Sequence, residues 1–467
     1  MNCSSAGAAC RKLKCLSKLL PIRENDMDFG HDPIKRLFFK LYWPTLTGML
    51  TMAAYQLADG IIVGYGVGTM ALAGISMSFP LLFVAISLAM LIGVGSSMVI
   101  AIKLGENQSA VANRVFHYSC SISLLVSVAL ACVLLVFTDT WVGLLGASAD
   151  IQPYLKEYLI YWTLFLPTLF LRFSFSFFVN NDKSPHISRN ANIVSSLLNV
   201  LLDLLFVLVL EWGIKGAAIA TGISQALAVI YMAYHFYLGE KHLSFKNYAF
   251  KIRDCEQKRV IGLGFPIFIS EISGALAFAM LNKAAISHGG SEAGAALATV
   301  NFTLFFVMKF LVGAAFSVQP VFGFNHGAKN HHRIEALLNF SLKFVFVIGV
   351  LAYVLIYLFA EQLVTLFNVV NPKEVQLATQ ALLLFYPATA FMGANLIFGA
   401  YFQSVEKVKV ATNLALIRGM VLVAFFLMVL PDIFGLVGVW LAMPLAEFIA
   451  FLLTLPLLYF KKEEQLV

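Results

Sequence analysis

Charge is scarce in this 467-residue chain. Asp, Glu, Lys and Arg make up 12% of it, about half the roughly 25% usual in soluble domains. Together with 60% hydrophobic residues and a mean hydropathy of +0.84, that deficit excludes a solvated globular domain and predicts a polytopic membrane protein. The alternating ten-residue pattern of a membrane β-barrel is also missing, because the apolar runs are far longer. Only helices and closed barrels satisfy their backbones in lipid, so the expected class is all-α. Cysteine is sparse and unpatterned. Cys3, Cys10, Cys15, Cys120, Cys132 and Cys255 fall in the amino-terminal tail, in apolar segments or in a basic loop. Without C-x-x-C spacing they indicate neither a disulfide framework nor a metal site. No G-x-x-x-x-G-K-[ST] phosphate loop occurs, so an ion gradient rather than ATP is the expected energy source, and no cofactor is expected. The net charge of +7 does not point to nucleic acid, since the basic residues lie between apolar runs and form no patch interleaved with aromatics.

What is present is a series of apolar runs bounded by Gly, Pro or charge. They predict twelve spans, near 38–62, 71–101, 114–137, 153–178, 190–210, 214–238, 259–285, 293–323, 336–360, 376–402, 410–430 and 435–460. Residues 1–32 read as a polar, basic cytoplasmic extension, because Cys15 to Pro21 is too short for the core of a signal peptide. Residues 33–238 then form an amino-terminal lobe, 239–258 a polar inter-lobe loop and 259–467 a carboxyl-terminal lobe with a short tail. With the amino terminus inside, the cytoplasmic segments hold 24 of the 32 Lys and Arg residues and the opposite loops four. That asymmetry places both termini in the cytoplasm and requires an even number of spans.

The two halves superpose under an ungapped shift of 222 residues. Pro44 falls on Pro266, Ala71 on Ala293, Ala73 on Ala295, Phe83 on Phe305, Gly105 on Gly327, and the G-x-x-G of Gly213–Gly216 on that of Gly435–Gly438. Six helices per copy make the repeats parallel, with a central cavity between them, an architecture that rocks to give alternating access. Such symmetry points to a transporter rather than a receptor or an enzyme.

Few acids interrupt these runs. Asp59 lies in LYWPTLTGMLTMAAYQLADGIIVG, 15 residues after Pro44. A carboxylate in hydrocarbon costs at least a few kcal/mol, and such residues commonly mark ion paths. The alternative is a residue near a helix end reaching the headgroups, since Gly60 to Gly68 reads as a loop. Pro44 favours a bend in the same helix. In the fifth span Asn199 and Asp203 are four residues apart and share a face. An amide oxygen beside a carboxylate suits a small cation or a shared proton, with helix–helix hydrogen bonding as the alternative. Two acids in one lobe could share a proton or jointly hold Na⁺, and Thr221 in the sixth span adds a hydroxyl. Of the other buried charges, Glu271 of the seventh span stands either as a second cation site or as an ion-pair partner of Lys309. Arg172, Arg418 and Glu447 carry no assigned role, and Gln403 reads as structural.

The W-P-x-x-x-G and Y-Q-L-A-D-G-x-x-V-G of the first span, ALAGISMSFP entering the second, N-x-x-x-D in the fifth and G-x-x-G-A-A-x-A-T in the sixth resemble the MATE (multidrug and toxic compound extrusion) exporters over Asp32 to Tyr459. The resemblance implies export of organic cations or amphipathic drugs in exchange for inward H⁺ or Na⁺. It gives the cation site to Asp59, Asn199, Asp203 and Thr221, a Na⁺ ion being one possible occupant, and makes Pro44 the point where the first helix bends. Glu271 matches the acid that other branches use in the second lobe. The tenth span lacks the aspartate some branches place there, which favours coupling through the amino lobe. The expected partners are small-molecule drugs and the lipid bilayer, with the chain a monomer in the inner cell membrane. Two other readings stand beside this one: a flippase or exporter of a lipid-linked or amphipathic metabolite, and an intramembrane enzyme. His117, His326, His331 and His332 lack the regular spacing the enzyme would require.

Overall fold

In the computed structural model the described residues are 27–238, 242–250, 253–366 and 372–464. Most of the 1–32 extension, with Cys3, Cys10 and Cys15, lies outside them. Among the described residues nine helices are long and apolar enough to cross a bilayer, and two further crossings are made by bent helix pairs. One of the nine, Gln257–Gly327, has 71 residues. At 1.5 Å per residue that is roughly 107 Å, more than three times the ~30 Å hydrocarbon core. It breaks at Gly290 (φ 67°, ψ −162°), a backbone conformation glycine adopts without steric cost, and so supplies two crossings. The chain is therefore an all-α membrane protein of twelve transmembrane helices, in two pseudo-symmetric six-helix lobes.

Several boundaries differ from the sequence reading. The first helix runs Ile34–Gly66, so Gly60 to Gly66 is helical rather than loop. The chain leaves the helix only at Gly68 (φ 113°), since backbone polar groups at membrane depth stay paired within a helix despite glycine's low propensity. Pro44 is inside this helix, which remains continuous across it. The fourth span is Gln152–Leu164 with Leu166–Asn181, bent by 53°, and the tenth is bent by 41° before Ala388–Ser404. Pro167 and Pro387 sit at the two breaks, where a proline lacks the N–H that would continue the preceding turn. The fifth span, Pro185–Asp203, continues as a π-helix over Leu204–Val209, and the eleventh, Val408–Leu416, continues as one over Ile417–Val421.

The lobes meet mainly through the second span, Thr69–Gly105, and the long seventh–eighth element. Glycine sets how closely. A Cβ at Gly105 would lie 1.9 Å from the Phe324 carbonyl oxygen, and one at Gly327 would lie 2.0 Å from that of Ile102. These two contacts are images of each other under the 222-residue shift. Gly264 against Leu91 O (1.9 Å) and Gly95 against Val260 O (2.1 Å) extend the seam. A charged cluster caps it. Lys103 Nζ is 3.0 Å from Glu106 and 3.4 Å from Glu256, and Arg259 is bonded to Glu406 and lies 3.3 Å from Glu256. Beside His326 and the Arg259 guanidinium, the Glu406 carboxyl is held well below the usual carboxylate range, at about 2.

The inter-lobe segment is less solvated than its polarity implies. Within 242–250, Leu243 is buried, and it and Phe245 join the amino-lobe core. Asp182 Oδ1 accepts the N–H groups of His242 and Leu243 (2.9 and 3.2 Å), and its other oxygen is 2.9 Å from His235 Nε2. His117 Nε2 is 2.9 Å from the Ser244 carbonyl, and Tyr248 and Ser121 share a hydrogen bond of 2.9 Å. The remaining residues of the 239–258 loop expectation at 239–241 and 251–252 lie outside the described set.

Candidate functional site

The first span packs along the fifth, and the fifth along the sixth. Close approach is permitted at Gly48, whose missing Cβ leaves room for Asn192 of the fifth span. This packing brings Asp59, Asn199, Asp203 and Thr221 to one place in the amino lobe. Asp203 is fully buried and Asn199 is 1% exposed. Asn199 Nδ2 donates to Thr221 Oγ1 at 3.2 Å. The carboxyls of Asp59 and Asp203 interact with each other, yet both oxygens of Asp203, Oδ1 of Asp59 and Oδ1 of Asn199 lack a hydrogen-bond partner. Buried polar atoms are nearly always paired, so four orphaned acceptors in one place is a strong departure. All four are oxygens, and no ion pair to Lys, Arg or His reaches either acid among the described residues. Such a donor set fits a proton or a hard monovalent cation such as Na⁺. Asp203 also abuts the π-helical stretch, an irregularity often found at functional sites.

Two tyrosines complete the surroundings. Tyr55 precedes Asp59 by four residues and so shares its helix face, and Tyr158 from the fourth span lies within electrostatic reach of both acids. Tyr55 was readable from spacing. Nothing in the sequence marked Tyr158, because its approach depends on tertiary packing.

The site breaks the internal repeat. A shift of 222 takes Asp59, Asn199, Asp203 and Thr221 to Leu281, Val421, Phe425 and Met443, none of which can bind a cation through a charged or hard-oxygen side chain. The carboxyl lobe is polar elsewhere. Its cavity of about 390 Å³ is lined by Glu271, Asn395, Gln403, Arg418 and Glu447 together with phenylalanines and methionines. Arg418 pairs with Glu447 at 3.0 Å and reaches Ser270 at 3.4 Å, and Asn395 donates to the other Glu447 oxygen at 2.6 Å. The buried ion pair of this lobe is thus Arg418–Glu447 rather than Glu271–Lys309. Lys309 instead lies 4.0 Å above the Phe305 ring, and Glu271 feels Lys309 and Arg418 without direct contact to either. Gln403 bridges the eighth and seventh spans, bonding Gln319 at 3.2 Å and the Leu263 carbonyl. Arg172 bonds Asn192 at 3.0 Å.

Twelve helices in two lobes, with a cluster of unpartnered carboxylate and amide oxygens inside one of them, define a polytopic membrane transporter rather than an enzyme. The MatE family profile matches residues 44–205 and 266–430, and the chain belongs to that family. Among known proteins it is 25% identical over 434 residues to the multidrug export protein MepA of Staphylococcus haemolyticus, covering 92% of this chain and 94% of that one. It is 26% identical over 430 residues to the FAD transporter of Shewanella oneidensis, covering 89% and 92%. A solved outward-facing multidrug resistance MATE transporter of the MOP superfamily shares the fold with a TM-score of 0.85 at 24% identity, over 90% of this chain and 94% of that one.

Proposed function

We propose that the protein is a secondary active multidrug exporter that antiports organic cations or amphipathic drugs against inward H⁺ or Na⁺. The observation carrying this reading is the cluster of unpartnered oxygens at Asp59, Asn199 and Asp203, with no basic neighbour among the described residues to neutralise the acids. A buried carboxylate needs a proton or a cation, and exchanging that ion with the aqueous phases couples its gradient to the lobes. Binding of the ion competes with drug held between or within the lobes, and ion entry discharges the drug. Pro44 is the position at which the first helix responds to the state of Asp59. Both termini face the cytoplasm of the inner cell membrane, the chain acts as a monomer, and the charged cluster around Arg259 and Glu406 closes the cytoplasmic side. The name of the Staphylococcus relative supports drug as cargo.

A second reading, export of an amphipathic metabolite, is favoured by the relative named as an FAD transporter and by Arg418 in the carboxyl-lobe cavity. Efflux assays in everted vesicles, with a pH gradient or a Na⁺ gradient imposed separately, test the proposal. Lipophilic cations should accumulate under one of the gradients, and Asp59→Asn should abolish it. Counter-transport by Asp59→Asn at the parent rate would overturn the proposal.

A further inference from the structure

No described segment of the second lobe takes the place that residues 242–250 occupy in the first. In the amino lobe, Asn113, Phe116, His117 and Ser121 of the third span and Phe236 of the sixth hold residues 242–250. Asn113 Oδ1 accepts the Ser244 N–H at 2.9 Å, and the Phe245 ring centre lies 5.0 Å from that of Phe116, tilted to it, and 6.1 Å from that of Phe236, edge-on. The 222-residue shift takes Phe116, His117, Ser121 and Phe236 to Leu338, Asn339, Lys343 and Leu458. All four line a groove of about 690 Å³ between the ninth, tenth and twelfth spans. No described segment of the chain covers it.

The groove is graded in polarity, and all three helices agree on the direction. His331 and His332 stand at the mouth with Glu335 and Tyr401, while Phe346, Ala394 and Phe451 form the deep end. Between them is Lys343, twelve residues into a 36-residue apolar helix, His331–Leu366. Lys343 is exposed on the outer wall and makes no ion pair with a carboxylate among the described residues. Twelve residues of helix place its Cα roughly 18 Å from the helix start. An unpaired ammonium at that depth is costly unless its flexible stem carries it to an anion nearer the interface. From His331 to Phe346 the groove runs about 22 Å, close to half the 40–45 Å thickness of a bilayer with its headgroups. It therefore spans one leaflet from headgroup to chain end.

We propose that this groove binds a phospholipid with an anionic headgroup. The phosphate is held by Lys343 and Asn339, on the deeper side of the Glu335 carboxylate, and an acyl chain lies along Phe346, Phe398, Phe451 and Leu455, doing for the carboxyl lobe what Leu243 and Phe245 do for the amino lobe. The lipid is drawn from the leaflet on the side of the Glu406 loop.

Native mass spectrometry of the full chain, purified in detergent and titrated with phosphatidylglycerol or phosphatidylethanolamine, tests this. One phosphatidylglycerol should be retained in preference to phosphatidylethanolamine. A basic residue at a membrane surface contributes about 1 kcal/mol toward an anionic lipid, so Lys343→Gln should weaken retention about fivefold. Lys343→Arg should restore it. Lys156→Gln, at the opposite end of the molecule and outside the groove, should leave it unchanged. Because Lys343 is exposed, its variants should keep the parent melting temperature, which separates a lost site from a lost fold. Equal retention of the two lipids would overturn the proposal, as would retention unaffected by Lys343→Gln. So would a several-fold gain on deleting residues 459–467, because the chain's own tail would then be the occupant.

Discussion

Replacing Gly327 with Ala should open the seam between the lobes. The added methyl would lie 2.0 Å from the Ile102 carbonyl oxygen, whereas real Cβ contacts essentially never fall below 3.0 Å, so two backbones must part by about 1 Å. A flexible side chain could swing aside, but a helix carbonyl held in its own hydrogen bond cannot. Overpacking of this kind costs typically 1–3 kcal/mol, and each 1.4 kcal/mol is tenfold in a two-state equilibrium. The state closed at the Arg259–Glu406 end should therefore lose roughly tenfold in population. Gly105→Ala, whose methyl would lie 1.9 Å from Phe324 O, should do the same, since the two contacts are related by the repeat. Spin labels at the exposed positions Asn107 and Lys329, in a background freed of all six cysteines, would report the change as a longer inter-lobe distance. Transport should slow in parallel. If both single variants keep the parent distance distribution and the parent rate, these glycines do not set the approach of the lobes, and the reading of the seam fails.

Other perturbations act on smaller groups. Arg418→Ala leaves Glu447, 1% exposed, without its counter-ion, and breaking such a pair costs about 3–5 kcal/mol; a large fall in melting temperature should follow, and a smaller one for Glu447→Gln. Thr221→Val removes the acceptor of the Asn199 amide at 3.2 Å; the ion dependence of transport should shift while the protein stays folded. Glu406 has its folded-state pKa depressed to about 2, so its stabilising contribution is complete above its ordinary value of 4.5 and disappears as pH falls from there through 2. The gap in melting temperature between the parent and Glu406→Gln should be present at pH 7 and shrink progressively below about pH 4; a gap unchanged at pH 3 would exclude this role.

The architecture was legible because hydropathy and the 222-residue shift both report long-range order. Uninterrupted apolar runs leave a helix no alternative in lipid, and proline on proline with glycine on glycine marks a duplicated backbone. The convergence of Asp59, Asn199, Asp203 and Thr221 was likewise foreshadowed, since a charge in an apolar run advertises its own cost. What escaped the sequence depends on packing. The helical state of Gly60 to Gly66 defied local propensity, and the π-helical turns after Asp203 and Leu416 have no residue signature. The burial of Leu243 and Phe245 was hidden by their polar neighbours in the 239–258 segment. Arg418 chose Glu447 over Glu271 through the geometry of two neighbouring spans, which spacing along one helix cannot convey.

The most direct test is whether drug binding expels an ion. Purified protein in weakly buffered detergent solution should release protons, or Na⁺ when loaded with it, on addition of a lipophilic cation. The paired substitution Asp59→Asn with Asp203→Asn should abolish that release in protein that is still folded. Drug binding with no ion released, or release undiminished in the double variant, would contradict the coupling assigned to these acids.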